Sequence, residues 1–333
     1  MKILIEYRPN ARLDNFEGAR LRKTIKGALE MNNIPYTTNR VDDYDVVLFI
    51  SPNEESKLHN AIENGKKSIA FALYTEDDPV CSYTEYRSKD GKRELNLKAK
   101  SLRFLNKVDL VLVPSIEAQQ FLVRSGVITP TKVIEAGVNI SRFDFSRDDE
   151  KEIFYRYFRE ENGKKLVLAI GEYTNNMDGI SAVTNAAKRN PDTLFYFVGK
   201  EEHAKITHKT KKVIKSAPSN LKFKGVLPDD VYRSALLNSD IFMVAGYKIS
   251  GTISLIEAKA AKSQIIARKQ AVYSDVVNES NAYIAQYSET LTSLVEEYLN
   301  NKIKPTTEVA YVEAQENNLT KFGKKLIEIY KLI

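Results

Sequence analysis

Short apolar segments alternate along the chain with longer segments in which apolar residues recur at helical spacing. Two of the apolar runs, residues 45–50 and 110–114, lack the strict alternation of a strand that has one solvated face. Such runs are typical of strands that helices cover on both faces of a parallel sheet. The pattern therefore predicts the α/β class, with right-handed crossovers between parallel strands.

The pattern runs through twice, which indicates two halves of the same kind. In the first half the predicted strands are residues 2–7, 36–38, 45–50, 68–73, 110–114 and 132–135, and the predicted helices are residues 19–31, 57–63, 95–106 and 116–125. In the second half the predicted strands are residues 166–171, 193–199, 221–226, 241–245, 264–267 and 283–286, and the predicted helices are residues 179–188, 204–215, 229–238, 252–262 and 289–299. Ser115 is expected to be a helix N-cap, because its side-chain oxygen can accept a bond from an unpaired backbone N–H.

The restart predicts two domains, residues 1–145 and residues 146–311, joined through the charged, turn-rich stretch 137–164. We expect their two parallel sheets to face each other across a cleft. Ligands of such sheets bind at the carboxyl ends of the strands, so the cleft is the expected site. The last segment, residues 312–333, has helical apolar spacing up to residue 330 and no strand after it. It is predicted to be a C-terminal helix, free to pack anywhere, including back across the first domain.

Composition and charge exclude several classes of protein. Of the 333 residues, 43% are hydrophobic and 28% are charged, which is ordinary for a globular protein. One cysteine excludes an intramolecular disulfide, and with three histidines we expect no metal site. We expect a cytoplasmic location, since the chain opens without a signal peptide and has no apolar run of about 18 residues. The net charge of +6 suits phosphate or an anionic lipid surface and is too small to indicate nucleic acid.

The best local signal for chemistry is the segment 250–258, SGTISLIEA, which follows an apolar strand and opens an apolar helix. The backbone N–H groups of Gly251 and Thr252, at the positive end of that helix, would suit a diphosphate. Glu257 lies one and a half turns further on and could accept hydrogen bonds from the hydroxyls of a ribose. A glycine at a helix start and a glutamate on the solvated face would give the same pattern, so both interpretations stay open.

Other candidates are weaker. The acidic cluster 76–78 (Glu76, Asp77 and Asp78) follows a strand end and could do acid–base work or hold a cation, but a solvated loop explains it equally well. The segment 171–173 follows a strand, as ordinary turns do. No histidine follows a strand end, so all three are predicted to be surface residues: His59, His203 and His208.

Cations crowd the first predicted helix, where they are interleaved with apolar residues. Arg20, Arg22, Lys23 and Lys26 are the candidate membrane contacts, because this composition fits a helix that lies on anionic lipid headgroups. A helix with an apolar stripe toward the core and a charged outer face would show the same pattern. A second basic stretch lies in the predicted helix 204–215.

Several motifs, in order and at matching spacing, carry a resemblance to a known family. They are MKILIEY at the start, IPYTT followed by DYDVV, TEDD, AGVNI with Phe143, and GTISLIEA. The chain resembles the retaining, nucleotide-sugar-dependent glycosyltransferases of the GT-B fold, often called family 4, and more narrowly the small bacterial diacylglycerol glucosyltransferases. The resemblance covers nearly the whole length. It implies two Rossmann-like domains, a UDP-sugar as donor substrate, no cofactor, and a peripheral position at the inner face of the cell membrane.

Positions where that family carries its working residues differ here. Residues 174–178 contain no cation where an Arg/Lys pair normally holds the diphosphate, and residues 71–73 contain no histidine. Ile249 replaces the first glutamate of the Glu-x7-Glu signature, and residues 15–19 contain one glycine where the family has a glycine-rich loop. Cations stabilise the negative charge on the leaving group, so we expect donor chemistry that is altered or lost, and no catalytic residue is assigned.

Two functions follow from the resemblance and these departures. In the first, the protein transfers a sugar from a nucleotide sugar to a lipid or cell-envelope acceptor at the cytoplasmic membrane face. In the second, it is a catalytically silent homologue, a pseudoenzyme that acts as scaffold or regulatory partner of an active glycosyltransferase. A nucleotide-sugar epimerase or dehydrogenase is disfavoured, because the dinucleotide fingerprint is absent.

Overall fold

The computed structural model describes residues 1–7, 17–50, 52–75, 86–87, 93–94, 97–143, 146, 148–171, 173, 177–199, 206–246, 252–269 and 278–333. Within these residues two parallel sheets, one in each half of the chain, are covered by helices. The predicted α/β architecture of two domains is confirmed. No helix in these ranges is long and apolar enough to cross a membrane.

The first half contains a six-stranded parallel sheet in the order β2-β1-β3-β4-β7-β8. The strands of this half are β1 (Ile3–Glu6), β2 (Tyr36–Thr37), β3 (Val46–Phe49), β4 (Lys67–Phe71), β5 (Tyr86–Arg87), β6 (Arg93–Glu94), β7 (Leu110–Val113) and β8 (Thr131–Val133). The short strands β5 and β6 form a separate antiparallel pair that the sequence pattern did not predict. Strand order reverses between β1 and β3, because β2 lies on one side of β1 and the later strands lie on the other.

Helices cover this sheet on both faces, as the apolar strands require. They are α1 (Glu17–Met31), α2 (Glu55–Glu63), α3 (Ala99–Leu105) and α4 (Ile116–Arg124). The central strands β3 and β4 are buried except for Lys67, which confirms why they lack a polar alternation. Ser115 is the N-cap of α4, since its Oγ accepts a hydrogen bond from the backbone N–H of Ala118 at 3.1 Å.

The second half repeats the plan with a sheet in the order β11-β10-β9-β12-β13-β14. Its strands are β9 (Leu166–Ile170), β10 (Leu194–Val198), β11 (Leu221–Lys224), β12 (Ile241–Val244), β13 (Gln264–Arg268) and β14 (Tyr283–Ala285). Its helices are α5 (Asp148–Phe158), α6 (Met177–Arg189), α7 (His208–Lys215), α8 (Asp229–Asn238), α9 (Thr252–Ala260) and α10 (Ser288–Leu299). Here the strand order reverses between β9 and β12.

Helix α5 was not predicted, because its charged sequence was interpreted as a turn-rich linker. Its first turn is acidic, which the positive end of a helix stabilises, and its apolar side packs on α8. Phe154 is fully buried there, and its backbone N–H donates to Ser234 Oγ at 2.9 Å. Residues 148–158 of the predicted join are therefore a helix that packs in the second half of the chain.

The C-terminal segment forms two helices instead of the single helix predicted for residues 312–330. These are α11 (Thr307–Glu316) and α12 (Leu319–Tyr330), separated at Asn318, whose Oδ1 accepts from the backbone N–H of Lys321 at 3.1 Å. Asn318 breaks the helical run because its side chain caps a new helix. Helix α12 crosses back and packs against α1 of the first domain, as the sequence allowed.

Gly323 of α12 allows the backbones of α12 and α1 to approach each other closely where the helices cross. A Cβ atom at Gly323 would lie 2.5 Å from the carbonyl oxygen of Ala28, which is tighter than real Cβ contacts. Asn32, directly after α1, also donates from Nδ2 to the carbonyl oxygen of Thr320 at 3.2 Å. Helix α12 thus fixes α1 within the first domain although it follows the second domain in sequence.

Candidate functional site

Helices α1 and α9 contact each other between the two domains. Helix α1 follows β1 and α9 follows β12, and each of these strands lies where the order of its sheet reverses. In open parallel sheets, ligands bind outside the carboxyl ends of the strands at such reversal points. The candidate functional site therefore lies at the contact between α1 and α9.

Arg20 of α1 is at the centre of this contact and is only 5% exposed. Its Nε donates to Glu257 Oε2 at 2.9 Å, and its Nη2 donates to Ser254 Oγ at 2.8 Å. The guanidinium carbon lies 4.4 Å from the centre of the Tyr232 ring, in cation–π geometry. One arginine of the first domain thus binds three side chains of the second.

Glu17 adds a second carboxylate to the cluster. Its Oε1 lies 3.6 Å from Arg20 Nη2 and accepts a hydrogen bond from Ser254 Oγ. Glu17 and Arg20 lie three residues apart on the first turn of α1, where the positive end of the helix favours an acidic side chain. Arg20 is therefore placed between two carboxylates, one from each domain.

Burial and pairing act in opposite directions on the charges of this cluster. Burial raises the pKa of Glu257 above its usual value, although attraction to Arg20 opposes the shift. Burial by itself would lower the pKa of Arg20, but the attraction of Glu257, Tyr232 and Glu17 raises it instead. Burial also raises the pKa of Tyr232. Arg20 is consequently a permanent cation, and its presence is what favours the charged form of the buried Glu257.

A second ionic contact between the domains lies beside the first. Asp229, at the start of α8, accepts hydrogen bonds from Arg142 Nη2 at 2.8 Å and from Lys23 Nζ at 3.4 Å. Burial raises the pKa of Asp229, but these two cations lower it by more, so the net shift is downward. Both cations belong to the first half of the chain. Helix α1 therefore binds the second domain through two of its four candidate membrane residues.

This arrangement does not fit the membrane contact expected of Arg20, because a buried guanidinium cannot reach a lipid headgroup. Lys23 is exposed but faces Asp229, and Lys26 lies 5.7 Å from the centre of the Tyr36 ring. Arg22 is partly buried. Helix α1 contacts both α9 and α12, and of its four cations Arg20 and Lys23 bind the second domain.

Of the predicted donor-binding residues, the structure describes the side chain of Glu257 and the backbone of Thr252. Glu257 is 4% exposed and faces the first domain, so the alternative of a glutamate on a solvated face is wrong. Thr252 begins α9, while Gly251 and the side chain of Thr252 lie outside the described residues, as do Ile249 and residues 76–78. The structure brings Glu257 together with Arg20 and Ser254, a combination that the sequence did not indicate.

Other predicted positions are part of the core. Residues 71–73, where the family resemblance expects a histidine, are fully buried. Tyr173 in the segment 171–173 is buried as well, and its OH donates to the carbonyl oxygen of Lys224 at 2.8 Å. A Cβ atom at Gly199 would lie 1.7 Å from the carbonyl oxygen of Gly171, so this part of the sheet edge requires glycine. His59 and His208 are exposed, as predicted, and His203 lies outside the described residues.

Arg268 is a buried cation that the sequence analysis missed. It ends β13, is 1% exposed, and donates from Nε to the carbonyl oxygen of Ala245 at 2.8 Å. Its Nη1 donates to the carbonyl oxygen of Gln286 at 3.0 Å and its Nη2 to Ser288 Oγ at 2.8 Å. The sequence feature that could have indicated a buried cation is a basic residue directly after the apolar strand segment QIIA. Arg268 joins the carboxyl ends of β12 and β14 to the start of α10.

No group of three or more His, Cys, Asp or Glu side chains in the described ranges is arranged to hold a metal ion. What the site offers is a helix start, a buried carboxylate and a set of interdomain ion pairs. A helix start can bind an anion through its backbone N–H groups, and a carboxylate can accept hydrogen bonds from hydroxyl groups. Together they suit a ligand that carries both phosphates and a diol.

Comparison with known proteins finds a matching family model and a relative that aligns along nearly the whole chain. The family model for "Glycosyl transferases group 1" matches residues 150–317. The processive diacylglycerol alpha-glucosyltransferase of Acholeplasma laidlawii is 23% identical over 342 residues, which cover 99% of this chain and 98% of that protein.

Solved structures resemble the whole chain. Anabaena HepE, in complex with UDP and glucose, superposes with a TM-score of 0.74 at 14% identity, covering 100% of both chains. Sucrose-phosphate synthase from Thermosynechococcus elongatus gives a TM-score of 0.73 at 14% identity, covering 99% of this chain and 98% of that one. These likenesses confirm the GT-B arrangement of two Rossmann-like domains.

Proposed function

The chain belongs to the glycosyl transferases group 1 family, and from this premise we propose that it transfers a sugar from a UDP-sugar to a lipid or cell-envelope acceptor at the cytoplasmic face of the membrane. The observation that carries the proposal is the end-to-end similarity to a diacylglycerol glucosyltransferase, which covers nearly all of both proteins. The fold neighbour that contains UDP and glucose supports a nucleotide-sugar donor.

The donor would bind at the start of α9. The backbone N–H groups of Gly251 and Thr252 would hold the diphosphate, and the Glu257 carboxylate would accept hydrogen bonds from the ribose hydroxyls. Glu257 lies five residues into α9, one and a half turns from Thr252, which places the two contacts on one helix. In this structure Glu257 is bonded to Arg20, so donor binding requires that contact to change.

The chemistry of transfer would be slower than in relatives with a full set of cations. Residues 174–178 supply no positive charge to the leaving diphosphate, and the buried residues 71–73 supply no histidine. Preorganised charges of this type typically contribute about 3–4 kcal/mol to a transition state. We therefore expect low turnover with donor binding retained.

The membrane surface is proposed to lie on α3 and α4 instead of α1. Three apolar side chains of this face are exposed, Ile128 at 84%, Ile116 at 57% and Val123 at 55%. Exposed cations in α3, in α4 and just after α3 are Lys100, Arg103, Lys107 and Arg124, of which Arg103 also lies 3.6 Å from Glu55 of α2. Exposed apolar side chains together with cations fit the interface of an anionic bilayer.

Hydrogen bonds keep the two parts of this α3–α4 face together. Asn106, directly after α3, donates from Nδ2 to the carbonyl oxygen of Gly126 at 3.1 Å. Its Oδ1 accepts from the backbone N–H of Ile128 at 2.9 Å. The segment that carries the exposed Ile128 is thereby bonded to Asn106, the residue before Lys107.

A direct assay tests the proposal. The purified chain is incubated with radiolabelled UDP-glucose, UDP-galactose or UDP-N-acetylglucosamine and vesicles that contain diacylglycerol and phosphatidylglycerol. A labelled glycolipid on thin-layer chromatography is the expected result. Binding of none of the UDP-sugars, measured by calorimetry at millimolar concentration on folded protein, would contradict it.

The silent-homologue function is the second candidate, and the burial of Glu257 against Arg20 favours it. In that case the protein binds UDP weakly or not at all and produces no glycolipid. It would instead co-purify with an active glycosyltransferase from its native cytoplasm. Turnover in the vesicle assay would exclude this alternative.

A further inference from the structure

We propose that Arg20 competes with the ribose of the donor for the Glu257 carboxylate, so that donor binding and release of the Arg20–Glu257 pair are one coupled event. The inference rests on the proposed function, because it takes Glu257 as the ribose ligand. It adds a regulatory contact to that site, supplied by the opposite domain.

Arg20 and a ribose would both use the buried carboxylate of Glu257. Arg20 Nε lies 2.9 Å from Glu257 Oε2, and the glutamate is 4% exposed. A ribose diol binds a carboxylate through two hydroxyl groups and therefore needs open access to its oxygen atoms. That access exists only after Arg20 has moved away from the carboxylate.

A second carboxylate limits the cost of this movement. Glu17 lies one turn before Arg20 on the same helix, with its Oε1 3.6 Å from Arg20 Nη2. When Arg20 leaves Glu257, it can keep Glu17 as a partner, so no unpaired cation is buried. Ser254 now accepts from Arg20 and donates to Glu17, and movement of Arg20 would open its acceptor position to a hydroxyl of the ligand.

Separation of Arg20 from Glu257 also changes the contact between the domains. Gly323 and Asn32 fix α1 to α12 within the first domain, whereas α9 packs against β13 of the second sheet. Arg20 and Glu257 are thus attached to different bodies. Loss of their bond weakens the interdomain contact, which leaves Asp229 with Lys23 and Arg142 as the ionic link beside it.

Calorimetric titration of the full chain with UDP tests the competition. Arg20→Met removes the cation and keeps a long side chain, and we expect it to bind UDP about tenfold more tightly than the wild type, as removal of a competing closed state predicts. Ser254→Ala removes one anchor of Arg20 and serves if Arg20→Met does not fold; we expect a smaller increase in affinity.

Lys23→Met is the matched control. Lys23 lies on the same helix and binds the second domain through Asp229, but it does not contact Glu257. We expect this variant to bind UDP as the wild type does. An equal gain in affinity in Lys23→Met would overturn the specific role of Arg20, because it would show that any weakening of the interdomain contact is enough.

Amide hydrogen exchange is a second measurement, in which UDP should change the exchange rates of α9 and α1 in opposite directions. UDP should slow amide exchange in α9 and accelerate it in the first two turns of α1, because α1 loses the contact of Arg20. Arg20→Met should show the fast exchange in α1 without UDP. Slowed exchange in both helices on UDP binding would overturn the competition.

The possible failures are distinguishable. If wild type and Arg20→Met bind UDP equally well, the donor site stands and the competition is wrong. If only Arg20→Met binds UDP, both the ribose assignment and the competition are supported. If no folded variant binds UDP, the donor site itself is wrong, and the competition falls with it.

Discussion

Arg20 and Glu257 are 237 positions apart in the sequence, and their side chains are joined by a hydrogen bond of 2.9 Å between Nε and Oε2. Both side chains are almost fully buried. A buried charge pair of this kind connects the two domains at the point where a ligand of this fold is expected to bind. The stability of the domain contact and the availability of the donor site therefore depend on the same two side chains.

Breaking this pair on one side should destabilise the protein strongly. Arg20→Ala leaves Glu257 buried without its arginine, so we expect a loss of about 3–5 kcal/mol in the free energy of unfolding. The double variant Arg20→Met with Glu257→Gln removes both charges and should lose much less. Urea unfolding followed by circular dichroism measures both, and equal losses in the single and double variants would argue against coupling.

The ribose assignment predicts a loss of discrimination. Wild type should bind UDP more tightly than 2′-deoxy-UDP, because Glu257 accepts a hydrogen bond from the 2′-hydroxyl, a contact to a charged group worth about 1.5–3 kcal/mol. Glu257→Gln should reduce the ratio of the two affinities toward one. The ratio is informative even though the substitution also frees Arg20, since both ligands experience that change equally. An unchanged ratio would show that the ribose binds elsewhere.

The α3–α4 face should decide binding to lipid. The triple variant Lys100→Glu, Arg103→Glu and Lys107→Glu should bind vesicles containing phosphatidylglycerol at least about two orders of magnitude more weakly, since each lost cation contributes about 1 kcal/mol and the new carboxylates add repulsion. The matched control reverses three exposed lysines of the second domain: Lys211, Lys212 and Lys215. If both variants lose binding equally in co-sedimentation, net charge alone is responsible.

Acid should weaken the first domain through Glu6. Burial raises the pKa of Glu6, but the hydrogen bonds from Arg40 and Lys57 lower it by more than burial raises it. The folded-state pKa therefore lies below the usual 4.5. The unfolded chain then binds the proton more readily, and the stability due to Glu6 is present above pH 4.5 and is lost as the pH falls through the folded pKa. In urea unfolding between pH 7 and pH 3, Glu6→Gln should show a smaller acid loss than wild type. Glu328→Gln, at an exposed position of α12, is the control.

The crossing of α12 can be tested at its glycine. Gly323→Ala places a Cβ atom 2.5 Å from the carbonyl oxygen of Ala28, so α1 and α12 must move apart. Overpacking of this kind costs about 1–3 kcal/mol, which we expect as a lower melting temperature. Lys324→Ala changes an exposed neighbour and should melt as the wild type does. A wild-type melting temperature for Gly323→Ala would show that the contact is not tight in solution.

The repeat of apolar strands and helical segments was sufficient to predict two parallel sheets, because strands covered on both faces must be apolar and their crossovers must be helical. Local chemistry was sufficient for the cap at Ser115. It was not sufficient for α5, where charge along the sequence concealed the apolar side that packs on α8. Nor did it locate the break at Asn318, where a side chain that caps a helix outweighed the continuing apolar spacing.

The sequence by itself determined the architecture and singled out the helix with Glu257, because these depend on patterns within about ten residues. The tertiary structure alone decided what Arg20 and Arg268 do. A cation on an amphipathic helix serves equally as a lipid contact or as a buried partner, and only the packing of a distant element distinguishes the two. For Arg20 that element is α9, which brings a carboxylate to the guanidinium and turns an expected surface residue into the link between the domains.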